Sequence, residues 1–244
     1  MSFSRTRVAA FTVKELRDYR RNRFVIGTMA VLPLLFVAAP MVQLLTAPAV
    51  AAGSKLDARV GLALLYMLLI PAVVPSSLAA YSVVGEREQG TLEPVLITPI
   101  RREEFLVGKA LSVAAPTITI AYAIFGIFLA AATLFANPVI ASAVFAGSHV
   151  LVQLLFTPLL AGWSIWVGIA ISARSTDIRV AQQLSVFASL PPLAIVALMQ
   201  FKVITPSTGL ALALAAALLI VDGLGWRAVA AIFDRERLIT GARS

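Results

Sequence analysis

Six stretches of this chain contain no Asp, Glu, Lys or Arg: Phe24–Ala47, Val60–Val84, Ala110–Phe135, Val139–Ile171, Val180–Phe201 and Val203–Val221. Each reaches the roughly 18–20 residues that cross a hydrocarbon core. Lipid offers no hydrogen-bond partner to an open strand edge, so such spans are helices. A membrane β-barrel would instead alternate apolar and polar residues in segments of about ten. Only 13% of the 244 residues are charged and the mean hydropathy is +0.93, which leaves too little charge to solvate a globule of this size. At 1.5 Å per residue the fourth stretch would run about 50 Å, so Val139–Val150 is expected at the interface and Leu151–Ile171 across the core.

Charge distribution orients the spans. Seventeen Lys and Arg residues fall in the N-terminal segment, the second-to-third and fourth-to-fifth connections and the C-terminal end, against three (Lys55, Arg59 and Lys202) in the other connections. The positive-inside rule then places both termini in the cytoplasm, as an even number of spans requires. The first apolar run begins only at Phe24 and lacks a small-residue cleavage site, so it is expected to remain as a span. The expected division is an amphipathic N-terminal helix over 1–23, a six-helix membrane domain over 24–238 and a tail over 239–244. In the first of these, Val8, Phe11, Leu16 and Tyr19 share a face opposite Lys14, Arg17 and Arg21. Such a helix lies along a membrane surface, and its acids Glu15 and Asp18 suggest a protein contact as well.

Enzymatic chemistry finds little to work with. The chain has no Cys and one His, which excludes thiol nucleophiles and multi-histidine metal cages. Gly85 and Gly90-Thr91 have phosphate-loop spacing but no lysine follows, so the Walker A pattern fails. His149 reads as an interfacial polar residue. Asp222 is interfacial if the sixth span ends near Val221; if the span continues to Ala231 it lies inside and can pair with Arg227. Pro71, Pro75, Pro116, Pro158, Pro191 and Pro192 permit helix bends, equally suited to gating and to packing. Ser76, Ser77, Tyr81, Gln153, Thr157 and Ser164 are candidate polar lining residues.

The most patterned polar stretch is Gly85–Lys109, GEREQGTLEPVLITPIRREEFLVGK. Thr91 can cap a short amphipathic helix over Thr91–Ile97. Thr98-Pro99 ends it, and Arg101–Lys109 restarts a helix that runs into the third span. A short helix held across the ends of two spans is a lever.

Residues Gly85–Glu93, Leu96–Pro99, Glu103-Glu104 and Gly108-Lys109 together resemble the first cytoplasmic loop of ABC-2 type permeases, the membrane subunits of ATP-binding-cassette exporters. Lys14-Glu15-Leu16 with Arg20-Arg21 and Pro33 resembles that family's elbow helix, Ile171–Asp177 with Ala181-Gln182-Gln183 its second cytoplasmic loop, and Phe233–Leu238 its C-terminal end. The resemblance spans the chain in order. It implies an all-α membrane protein of six helices, N-in and C-in, with an interfacial elbow helix and a short coupling helix between spans 2 and 3.

The resemblance also implies a mechanism. A dimer of permeases, identical or not, binds two ABC ATPase subunits, and coupling helices pass the ATP-driven motion to the spans. The implied coupling residues are Glu86, Glu88, Gly90, Thr91, Leu92, Glu93, Thr98 and Pro99. Glu86, Glu88 and Glu93 would pair with basic groups of the ATPase, and Leu92 and Leu96 would fill an apolar groove. Asp177 and Arg179 are implied as a secondary contact, and Lys14, Glu15 and Arg17 mark the elbow. The chain itself is implied to be non-catalytic and to bind no cofactor, ATP and Mg sitting on the partner. Membrane lipid is an expected partner and nucleic acid is not; the expected location is a prokaryotic plasma membrane. The expected activity is export of a hydrophobic or amphipathic substrate. A membrane scaffold that recruits an ATPase without transport is the alternative, and an intramembrane enzyme or an ion-coupled carrier fits less well. The large external domain and re-entrant helices of many family members have no room in Pro48–Arg59 and Lys202–Pro206, so substrate does not carry over from larger relatives.

Overall fold

The computed structural model describes residues 3–46, 54–88, 90, 101–201, 203 and 207–232, and every regular element among them is an α-helix. In chain order these are α1 (Arg5–Tyr19), α2 (Arg23–Thr46), α3 (Ser54–Glu88), α4 (Arg102–Phe135), α5 (Pro138–Val144), α6 (Gly147–Arg174), α7 (Ile178–Gln200) and α8 (Thr208–Ile232). Six of them, α2, α3, α4, α6, α7 and α8, are long and apolar enough to cross a membrane.

Local chemistry sets several of the boundaries. Ser4 caps α1 by accepting the Arg7 N–H, and Asn22 Oδ1 accepts from Phe24 and Val25 at the start of α2. Asn137 and Pro138 open α5 with a side-chain cap and a proline at the first helical position. The long fourth apolar stretch does divide, into the short α5 and the spanning α6, a few residues earlier than the expected boundary after Val150. His149 serves that break: its Nδ1 lies 3.0 Å from the carbonyl oxygen of Ala143, at the end of α5.

The sixth span starts later than its apolar window and takes the longer of the two ends that the sequence left open. It begins at Thr208, with Ser207 Oγ accepting the Leu210 N–H, and continues past Asp222 and Arg227 to Ile232. The absence of charge was a poor guide to its end, because Asp222 takes its hydrogen bond from Trp166 Nε1 at 3.0 Å, on a neighbouring helix. Arg227 is exposed and is not its partner.

Helix α3 is the centre of the bundle, packed against α2, α4, α6 and α7. Its apolar window is 72% buried, while the other spanning windows are 17–50% buried. Small residues let the helices approach. A Cβ on Gly168 of α6 would stand 2.7 Å from the Ala79 Cβ and 3.0 Å from the Ser76 carbonyl oxygen, so α6 lies against the α3 backbone there. Farther along the same contact, Ser172 Oγ accepts the N–H groups of Val83 and Val84 and donates to the Ala80 carbonyl. Ser76 and Ser77 donate to the Val73 carbonyl of their own helix, and Gln153, Thr157 and Ser164 are buried between helices. Ser77 also borders an open cleft together with Arg23, Thr28 and Gln182. The prolines lie inside continuous helices.

Candidate functional site

Helix α1 packs along the first three turns of α4, and both helices present one face at helical spacing. From α1 come Ser4, Arg7, Val8, Phe11, Thr12, Glu15 and Tyr19; from α4 come Glu104, Phe105, Gly108, Lys109 and Ser112. Residues three and four apart share a helix face, so this is one continuous seam.

Glu104 anchors one end of the seam. It is fully buried, yet each carboxylate oxygen has donors: Ser4 N at 2.7 Å and Arg7 Nη2 at 2.7 Å on Oε1, Arg7 Nε at 2.9 Å and Arg101 N at 3.0 Å on Oε2. The Arg101 bond makes Glu104 a cap of its own helix. The Arg7 fork makes it a bidentate clamp on α1, and the pairing raises the guanidinium pKa further.

The middle is a close approach. A Cβ on Gly108 would stand 2.5 Å from Phe11 Cδ1, so only glycine admits the ring. Phe11 also packs on Phe105 with ring centroids 5.2 Å apart.

At the far end lies a buried ionic group. Lys109 Nζ donates to Glu86 Oε1 at 2.7 Å and to Glu15 Oε2 at 3.2 Å, and stands 5.1 Å from the Phe105 ring centroid. Its side chain is 1% exposed, Glu15 4% and Glu86 15%, so this cluster is shielded from solvent. Exposed Lys14 adds a third positive contact, 3.1 Å from Glu15 Oε1. Tyr19 closes the seam by accepting from Ser112 Oγ at 3.4 Å, and burial pushes its phenol up to about 12.

One lysine thus joins the end of α3, the start of α4 and the middle of α1. The stretch between α3 and α4 is flanked by this junction. On the other side, Arg87 donates to the carbonyl oxygens of Ser175 (3.0 Å) and Ala173 (3.4 Å) at the end of α6. Cationic groups at a helix C-terminus satisfy carbonyls left free by the helix and meet its negative dipole.

The sequence-derived site residues divide accordingly. Glu86 faces Lys109 within the chain, where the resemblance had it facing a partner. Glu15, expected on the elbow as a partner contact, is buried against Lys109. Lys14, Arg17 and Glu88 are exposed. Gly90 has φ +66°, which favours glycine, and its N–H bonds the Arg87 carbonyl at 3.1 Å just past the end of α3. Asp177 caps α7 by accepting the Val180 N–H at 3.0 Å, and both it and Arg179 are exposed. Thr91, Leu92, Glu93, Leu96, Thr98 and Pro99 lie outside the described residues. Sequence reasoning missed Ser4, Arg7 and Thr12 as seam residues. It quoted Glu104 and Lys109 only as motif; their helical spacing with Gly108 and Ser112 was the available signal.

Six apolar helices, the most buried of them α3, with charged side chains gathered where α1 meets α3 and α4, define a multi-pass membrane protein. A family model described as ABC-2 family transporter protein matches residues 9–236, and the chain belongs to that family: it is a permease subunit of an ABC transporter. Members of this family work with an ATP-binding subunit. A comparison with curated proteins returned no match.

Proposed function

We propose that the chain exports a hydrophobic or amphipathic substrate across a prokaryotic plasma membrane, as one half of a permease dimer driven by ATP on a separate ABC ATPase. Both termini face the cytoplasm, as the basic residues require, and α1 lies at that interface. ATP and its Mg bind the ATPase. The stretch 91–100, flanked by Glu88, Gly90 and Arg101, is the coupling element that the ATPase grips.

The observation that carries this reading is the Lys109 junction. Force applied to a loop moves a span only if the loop's ends are firmly held. Here the α3 end is bonded to the α4 start and to α1 through Lys109, and to the α6 end through Arg87. A pull on 91–100 therefore acts on three spans and the N-terminal helix together. Exposed Glu88, two residues beyond Glu86 and so on the other side of the helix, is free to meet a basic ATPase surface, with Glu93 five residues on in sequence. Asp177 and Arg179 give a lesser contact from the α6–α7 turn.

The test is mild-detergent purification from the native host, with mass spectrometry of what copurifies. An ATPase subunit is expected with wild type and is expected to be lost from a folded Glu88→Arg, Glu93→Arg variant. Absence of an ATPase from wild type under several mild conditions overturns the reading. Substrate-stimulated ATP hydrolysis by the isolated complex separates a transporter from a scaffold.

A further inference from the structure

With the orientation proposed above, few bases remain on the outer side of the membrane. The outer connections and span ends carry Lys55, Arg59 and Lys202 against a single acid, Asp57. Arg59 lies on the second turn of α3, is exposed, and pairs with no described acid. It stands in an open recess of about 360 Å³ where α2 ends and α3 begins, walled by Gln43, Thr46, Ala58, Arg59 and Leu62.

Snorkelling toward any headgroup accounts for an arginine at this depth. It does not account for Gln43, whose Oε1 is buried and has no hydrogen-bond partner. An acceptor left without a donor is costly. Beside it, the Thr46 hydroxyl donates to the Val42 carbonyl at 2.8 Å, and its own oxygen can still accept. The recess thus offers one cation and two acceptors at the ends of two adjacent spans. Inward it closes. The space behind Gln43 and Arg59, walled by Leu44, Val60, Phe128 and Ile140, amounts to about 20 Å³, room for one water and not for an acyl chain. A ligand therefore enters as a polar head.

We propose that this recess binds the head of an outer-leaflet phosphatidylglycerol, its phosphate on the Arg59 guanidinium and its glycerol hydroxyls donating to Gln43 Oε1 and Thr46 Oγ1. Arginine meets phosphate as a planar fork of donors. Phosphatidylcholine brings the phosphate but no N–H or O–H donor. Phosphatidylethanolamine brings donors, but on an ammonium that the outer bases repel. The acyl chains stay in the bilayer, beside exposed Val42 and Leu45. The leaflet rests on the proposed orientation; the site rests on the recess alone, and an assay in detergent reads it without the orientation.

The chain has no Cys, so Ala58→Cys places a lone thiol on the recess wall. Its alkylation by N-ethylmaleimide is followed on the full chain in mild detergent, with dihexanoyl phosphatidylglycerol, phosphatidylethanolamine or phosphatidylcholine added at equal concentrations. Phosphatidylglycerol is expected to slow the reaction saturably and at least fivefold, and the other two by less than twofold. Adding Arg59→Gln is expected to abolish the protection, and adding Gln43→Leu to weaken it. Ser142→Cys, exposed on α5 and outside the recess wall, is expected to react at one rate in all three lipids. Absence of protection at position 58 overturns the proposal and leaves a single water as the partner of Gln43. Equal protection by the three heads overturns it too, and that comparison needs no variant at position 59 to fold. So does protection that survives Arg59→Gln in a monodisperse protein. Equal slowing at Ser142→Cys would be an effect of the lipid on the whole micelle and likewise overturns the site.

Discussion

The Lys109 ammonium stands 2.7 Å from the Glu86 carboxylate, which lies 23 residues earlier in the chain at the end of the preceding span. With Glu15 at 3.2 Å it completes a buried group of two acids and one base. Removing the base leaves two carboxylates, both largely shielded from water, without the cation they share, and a broken buried pair costs about 3–5 kcal/mol. Lys109→Met is therefore expected to lower the melting temperature markedly in mild detergent. A Glu15→Gln, Lys109→Met, Glu86→Gln triple variant is expected to recover most of the loss, since it leaves no uncompensated charge. Melting followed by size-exclusion fluorescence checks both; a single variant as stable as wild type would count against the junction.

Glu104 ties α1 to α4 through Ser4 and Arg7. Glu104→Gln removes the charge from the fork and places an amide N–H where an acceptor is needed. Amide hydrogen exchange over Arg5–Tyr19 is expected to accelerate, while exchange in the α3–α6 contact stays at the wild-type rate. Uniform acceleration across both regions would show that Glu104 supports the whole bundle and not the α1 seam alone.

The spans were legible because apolar runs of that length have few other solutions in water or lipid. The break between α5 and α6 was legible for the same reason, from length alone. The sequence leaves the end of the sixth span between two alternatives, since a window without charge stops at Asp222, and the helix that goes on holds that acid against Trp166 of another helix. The site was legible in part. Position in the loop marked Glu86 as important, but which way its carboxylate faces depends on Lys109 and Glu15, which are distant in sequence. Glu15 reads on α1 as a sign of a protein contact, and the contact it makes is with Lys109 of the same chain, which sequence distance hid. Asp177 reads only as a secondary contact, and its local role, a cap that accepts the Val180 N–H at the start of α7, went unread.

Tyr19 gives the junction a signature at alkaline pH. Burial raises its phenol to about 12, against an unfolded value near 10. The unfolded chain then loses this proton first, so the native state holds more protons between about pH 10 and 12, and stability falls as pH rises through that window. Absorbance titration at the phenolate band is expected to show one tyrosine ionising near 12 that is missing from Tyr19→Phe. A difference spectrum centred near 10 would mean that the Tyr19 hydroxyl is open to water.

Gly168 tests the α3–α6 contact directly, with Gly126 as its control. A methyl group at 168 meets the Ala79 Cβ at 2.7 Å and the Ser76 carbonyl at 3.0 Å, and the latter is backbone that cannot swing aside. Gly168→Ala must push α6 from the central helix, and overpacking of this kind costs about 1–3 kcal/mol. Because Ser172 bonds the α3 backbone one turn farther on, the shift also strains those bonds. Gly126 of α4 has no atom within 4 Å of its would-be Cβ, so Gly126→Ala meets no clash and gains helix propensity worth about 0.5–1 kcal/mol. The two variants add the same single methyl group to a spanning helix. Opposite shifts in detergent melting temperature, down for Gly168→Ala and level or up for Gly126→Ala, are expected; equal shifts would mean that α3 and α6 do not touch at Ala79.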